Sequence, residues 1–244
     1  VKRILVASDM HCGNYWGLTP PEWQVGDYQQ IQQGLWRFWE EVTQEPYDVA
    51  ILNGDLIDGL VDEVEHVTAD RAEQLKIAKQ AIERIQAKKL YIVEGTPAHT
   101  NGEASYERLL GEMMDIEAKP YLRLEIEGIK FHIRHVVSGS ATPYGSMIRK
   151  EAVRQVWVDE SNGIEPPDVV IRSHVHYYQV DQDERVMGIV TPALQLPFSV
   201  YGRTRRPWKY NVGVVVLHVG NGSCLPRPIL LKLKTIREEM YESI

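Results

Sequence analysis

Cysteine is scarce in this chain: Cys12 and Cys224 are its two, among 244 residues. Two thiols can build neither a disulfide framework nor a thiolate zinc knuckle. A reducing, cytoplasmic setting is therefore expected. Long apolar runs are missing as well. No stretch approaches the roughly 20 residues that a membrane-spanning helix needs, so no membrane partner is expected. There is no excess of basic residues: 27 Lys and Arg face 34 Asp and Glu, a net charge of −7. That balance argues against a protein built to coat nucleic acid, although it leaves room for a local basic groove. The chain opens on a strand-like run without the pattern of a signal peptide. Repeats, low-complexity tracts and linkers are also lacking, so residues 1–244 are read as one domain. What is there is ordinary globular composition, 43% hydrophobic and 25% charged, enough for a core of normal size.

The pattern begins with strand, helix, strand, helix, strand. Residues 3–8, 49–52 and 89–94 are short apolar runs. Residues 28–43 and 70–86 carry apolar residues at three- and four-residue spacing. Asp70 is placed to cap the second helix, with Glu73 at capping-box spacing. The order argues a parallel α/β sheet. A helix at 105–114 follows, then strands at 121–126 and 129–137 around Glu127-Gly128, a hairpin signal. A helix at 146–160 and strands at 168–171, 186–190, 212–219 and 229–233 complete the chain, with a charged, frayed helix over 235–244.

Polar residues cluster where these strands end. The second strand runs into Leu52-Asn53-Gly54-Asp55-Leu56-Ile57-Asp58-Gly59. An acid there sits where open α/β sheets bind ligands; Asp is equally a common turn residue. The first strand ends in Ser8-Asp9-Met10-His11. In extended geometry Asp9 and His11 share a face, either as a chelating pair for manganese, iron or zinc or as a hydrogen-bonded turn. The third strand ends in Gly95-Thr96-Pro97-Ala98-His99. His132 and His135 are three apart, so on an extended strand only one of them reaches a given face. The strand at 168–171 ends in Arg172-Ser173-His174-Val175-His176, whose imidazoles share a face if the backbone stays extended. His66, in a polar connection, reads as solvated. Residues 198–210 interleave Arg203, Arg205, Arg206 and Lys209 with aromatics, which suits either phosphate or nucleic-acid contact or a solvated loop.

The ordered set Asp9-x-His11, Gly54-Asp55-x-x-Asp58, Gly95…His99, His135 and His174-x-His176 resembles the calcineurin-like metallophosphoesterase superfamily over about residues 3–180. The resemblance implies a four-layer α/β/β/α sandwich: two mixed β-sheets packed together, with helices outside. It also implies two divalent metal ions at the strand ends, manganese foremost, with iron, zinc, nickel or magnesium as alternatives. Carried over by motif, Asp9, His11 and His176 hold one metal, Asp55 bridges both, and His135 and His174 hold the second. His132 is the alternative to His135. Asp58 supports the turn or a ligand from behind. The third motif departs from the family's Gly-Asn-His-Asp or Glu. Either Thr96 takes the Asn position and His99 is the catalytic histidine after an insertion, or His99 itself completes the second metal.

The activity implied is hydrolysis of a phosphodiester, or a phosphomonoester, by attack of a metal-bound hydroxide. The basic aromatic loop and the altered third motif tilt this toward a diester, with a nucleotide or nucleic acid as candidate substrate. Arg172, Arg203 and Arg205 are the candidate phosphate contacts. The alternatives are a nuclease of the same fold and a non-catalytic binding scaffold, which some members of the superfamily have become.

Overall fold

The computed structural model describes residues 1–26, 29–59, 65–96, 105–137, 147–198 and 210–232. Strands β1 (Lys2–Ala7), β2 (Val49–Asn53) and β3 (Leu90–Val93) alternate with helices α1 (Gln29–Gln44) and α2 (Arg71–Glu83). Helix α3 (Tyr106–Met114) leads into the short β4 (Ala118–Lys119). The hairpin of β5 (Leu122–Ile126) and β6 (Ile129–Ile133) follows, then α4 (Met147–Ser161) and β7 (Val169–Arg172). β8 (Gln179–Gln182), β9 (Met187–Val190), β10 (Gly213–Gly220) and β11 (Ser223–Leu230) come last. The expected C-terminal helix lies outside the described residues.

Local chemistry accounts for several of these elements. In α1 the buried stripe of Ile31, Leu35, Phe38, Trp39 and Val42 follows the helical period. Asp70 caps α2 by accepting from the Ala72 N–H at 2.8 Å. The box is not closed, because Glu73 takes the Thr68 hydroxyl instead. Glu127 and Gly128 both have positive φ, +51° and +77°, the geometry of a tight hairpin turn.

The strands form two mixed sheets. The first has the order β11-β10-β1-β2-β3-β4, the second β5-β6-β7-β9-β8. β1 to β4 run parallel, and β10 and β11 are added antiparallel. In the second sheet β6, β7 and β9 are parallel, flanked by antiparallel β5 and β8. β11 was expected only over 229–233. It carries Pro226 and Pro228, which a strand tolerates at the sheet edge where β11 lies.

Alternation along each strand sorts its residues between layers. Ile4 and Val6 of β1 join Ile51, Phe131, Ile133, Val169, Ile171 and Ile189 in the core between the sheets. Leu5 and Ala7 point the other way, to Leu35, Trp39, Ile77 and Leu110 of α1, α2 and α3. On the far side, Val170 meets Ala152 and Val156 of α4. The layers are thus helices, sheet, sheet, helix: the four-layer α/β/β/α sandwich. Strands buried on both faces read as unbroken apolar runs, as the runs at 3–8 and 49–52 do.

Candidate metal centre

The polar residues after β1, β2, β6 and β7 converge at one end of the sandwich. They do so through an unusual backbone. Asp9, His11, Asp55, His174 and His176 have φ of +50°, +44°, +50°, +74° and +56°. Non-glycine residues rarely adopt this left-handed region, and strain of that kind gathers at functional sites. The pairs Asp9/His11 and His174/His176 therefore do not share a face by staying extended, as the sequence argument assumed. Each pair is delivered by consecutive sharp turns. Close approach also requires two glycines. A methyl group on Gly54 would stand 2.6 Å from the His135 ring, and one on Gly95 would stand 2.3 Å from the Asp55 nitrogen.

Six side chains fall into two groups, within each of which the ligand-type atoms lie within 4.8 Å of one another. One group is Asp9, His11 and His176; the other is Asp9, Asp55, His135 and His174. Asp9 Oδ1 stands 3.1 Å from His176 Nε2 and 3.8 Å from His135 Nε2. Asp55 Oδ2 stands 2.9 Å from His135 Nε2 and 3.7 Å from His174 Nδ1. Asp9 Oδ1 and His135 Nε2 are buried yet make no aligned hydrogen bond. The carboxylate common to both groups is Asp9; the resemblance implies Asp55 in the shared position.

Three of the imidazoles are held from behind. His11 Nδ1 donates to Asp58 Oδ1 at 2.9 Å. His135 Nδ1 donates to the Asn53 carbonyl at 2.6 Å. His176 Nδ1 lies 2.8 Å from the Tyr210 hydroxyl, which in turn reaches Gln195 Oε1 at 3.4 Å. Such contacts set the tautomer and aim Nε2 forward, as they do in metal-binding histidines. Asp58 is itself anchored. Its Oδ2 accepts from Asn14 Nδ2 at 3.1 Å and faces His66 Nε2 at 3.0 Å. His66 is therefore not a solvated histidine but part of this support. Nothing in its spacing marks it, because the loop carrying it folds back beside Asn14. Tyr210 was expected only as an aromatic of the basic 198–210 loop.

Electrostatics point the same way. Burial pushes the Asp9 carboxyl up, but His176 and His135 outweigh it and hold the group well below the usual carboxylate range. Burial pulls His135 down, and Asp55 and Asp9 more than reverse this, raising it to about 10. His11 is raised too, burial being outweighed by Asp58. Two carboxylates no more than 1% exposed are expensive to bury as charges unless compensated. A divalent cation would compensate them, and carboxylate oxygen with imidazole nitrogen suits manganese, iron or zinc. The donor set fits such ions.

Thr96 sits at this centre, against Asp55 and His174. Its N–H and hydroxyl donate to Asp55 Oδ1 and Oδ2, both at 2.6 Å, and its Oγ1 is 3.4 Å from His174 Nδ1. Arg172 does not face the site. It is fully buried, with Nε on Glu151 at 3.0 Å and Nη1 3.2 Å from His132 Nδ1. The reason is parity: Arg172 shares the face of Val170, which packs on α4. His132 lies on that same side, while His135 continues the inward face of Phe131 and Ile133. The alternation that places Arg172 was readable in the sequence. His99, Arg203 and Arg205 lie outside the described residues.

No protein-family model and no curated protein matches the chain. Solved structures similar to it include Vps29 from Chaetomium thermophilum, at 12% identity over 95% of this chain and 94% of that one, with a TM-score of 0.49. An archaeal phosphodiesterase is 14% identical over 94% and 99%, with a TM-score of 0.47. Entamoeba histolytica Vps29 complexed with Zn2+ is 12% identical over 93% and 98%, with a TM-score of 0.47. At these identities and scores the likenesses assign neither substrate nor activity. Among the described residues no helix is long and apolar enough to cross a membrane.

Proposed function

We propose that this chain is a phosphoesterase dependent on two divalent metal ions, with manganese the first to test and a phosphodiester the favoured substrate. The observation that carries the reading is the pair of carboxylate–histidine groups joined through Asp9, buried except for the half-buried His174. Asp9, His11 and His176 would hold one ion. Asp55, His135 and His174, with Asp9, would hold the other. Bound there, a metal pair supplies neutralising charge for phosphoryl oxygens and an acidified water. The chain's own part is to aim and insulate. Asp58, Asn53 and Tyr210 hold the imidazoles in one tautomer, and Thr96 orients both oxygens of Asp55.

His99 is proposed to donate a proton to the leaving oxygen. Arg203 and Arg205 are proposed to meet the substrate phosphate. A cytoplasmic setting is in keeping with the two unbridged cysteines.

A second reading, a metal-binding scaffold without turnover, is favoured by one feature. Where the resemblance expects an amide ligand, Thr96 commits both of its donors to Asp55. One experiment separates the two. The protein is loaded with Mn2+, its metal content is measured, and chromogenic phosphomonoesters and phosphodiesters are offered. Hydrolysis of the diester supports the enzyme. Metal bound with neither ester cleaved would sink that reading and leave the scaffold.

A further inference from the structure

The face between the two sheets is apolar along the strands and turns polar at the end that carries the metal centre. Ser8 continues the inward parity of Ile4 and Val6, and Asn53 that of Ile51. Ser173 continues that of Val169 and Ile171, and Thr191 that of Ile189. These four side chains come from the ends of β1, β2, β7 and β9, two strands from each sheet. All four residues are fully buried.

They are joined in one run of hydrogen bonds. Asn53 Nδ2 is 2.6 Å from Ser173 Oγ and 3.3 Å from the Arg134 carbonyl. That carbonyl can only accept, so the amide nitrogen faces it and Ser173 must accept as well. Ser173 Oγ lies 2.6 Å from Thr191 Oγ1, which lies 2.8 Å from Ser8 Oγ and also reaches the Arg172 carbonyl at 3.4 Å. Ser8 donates its proton to the Pro192 carbonyl at 3.3 Å, which closes the run. The run crosses from the first sheet to the second and back.

Its members stand directly behind the candidate ligands. Ser8 precedes Asp9, and Ser173 precedes His174. Asn53 is joined to Asp55 through Gly54 alone, and its carbonyl holds His135 Nδ1. The ligands divide in the same way: Asp9, His11 and Asp55 come from the first sheet, and His135, His174 and His176 from the second. Their spacing is therefore the spacing between the sheets at this end, where apolar contact has no direction and a hydrogen-bond chain has one.

We infer that Asn53, Ser173, Thr191 and Ser8 form a cross-sheet clasp that sets the separation of the two halves of the metal centre. They are positioning residues, not ligands. The inference rests on the two-metal reading above.

The test uses Thr191→Val, which keeps the shape and removes the hydroxyl, with Thr191→Ser as the restoring variant. Mn2+ affinity is measured by chelator competition on the full chain. The spin coupling of the bound pair is followed by electron paramagnetic resonance. Thr191→Val is expected to weaken Mn2+ binding about tenfold or more and to change the coupled spectrum, and Thr191→Ser to recover both. If Thr191→Val does not fold, Ser173→Ala carries the same expectation. A variant that melts earlier yet binds Mn2+ within twofold of the parent, with an unchanged spectrum, overturns the clasp alone. A parent chain that binds no Mn2+ overturns the clasp together with the reading it rests on.

Discussion

His132 and His135 lie three residues apart on the same strand end and belong to opposite chemistries. His135 faces the first sheet, where Asp55 and Asp9 raise it to about 10. His132 faces α4, where burial, with Arg172 and Arg123 beside it, pulls it down to about 3. In the cluster around His132 each cation is paired with an acid. Glu151 pairs with Arg172 at 3.0 Å and with Arg134 at 3.3 Å, and Arg123 grips Asp159 through both nitrogens at 2.9 and 2.6 Å. The cluster around His135 gathers acids and imidazoles that are satisfied best by a cation from outside. One set of buried charges fastens a helix to a sheet; the other is a site. The lesson is that a buried histidine is read from the sign of the groups facing it, and strand parity decides which groups those are.

The comparison can be broken most sharply at Asp55. Asp55→Asn is expected to abolish two-metal binding and turnover, a loss beyond the roughly 10–100-fold typical of residues behind the ligands. Asp9→Asn run in parallel shows which carboxylate is shared, since that variant loses both ions by metal analysis. If both variants retain two tightly bound ions, the site has been misassigned.

Arg172→Ala should act on the other cluster. Removing one partner of a buried pair costs about 3–5 kcal/mol. In a chain of this size that is a fall in Tm of roughly 6–20 °C. Calorimetry of the metal-free protein measures it. Mn2+ affinity should stay close to the parent's, and a large loss of affinity without loss of stability would return Arg172 to the site.

Asp58→Asn sits between these cases. It weakens the carboxylate that holds His11 and faces His66, so metal affinity should fall about 10–100-fold while the fold survives. Chelator competition gives the number, and an unchanged affinity would make Asp58 turn punctuation after all.

A titration separates the two histidines by pH. At pH 7, below its raised value of about 10, His135 carries a proton in the metal-free protein. A ligand imidazole must be neutral, so that proton leaves when metal binds. Mn2+ affinity should therefore rise with pH by roughly tenfold per unit from pH 7 to 9. Calorimetry in two buffers of different ionisation enthalpy counts the protons. His132, pushed down to about 3, stays neutral throughout and adds nothing to the slope. Zero proton release would contradict the assignment of His135.

Much of the site was legible because its residues sit at local landmarks. Asp9, Asp55 and His174 each follow an apolar run within a few residues, and the opposed faces of His132 and His135 follow from spacing alone. Arg172 adjoins the His174 motif, but the same alternation turns it away from the site toward Glu151 of α4. His66 carried no local mark, and Tyr210 was marked only as one aromatic of the 198–210 loop. Their contacts with Asp58 and His176 join positions 8 and 34 residues apart, and no periodicity reports such pairs. β8 and β11 were hidden by composition, because edge strands need neither an apolar run nor freedom from proline.

The sequence by itself determined where strands end, which residue types gather there and which parity each side chain takes. These depend on the two-residue period and on neighbours along the chain. Only the tertiary structure decided that Asp9 joins both groups, that five candidate ligands turn left-handed, and that a buried hydroxyl chain ties the two sheets beneath them. Those features are set by the distance between strands that are remote in sequence, and that distance is fixed only once both sheets have packed their shared core.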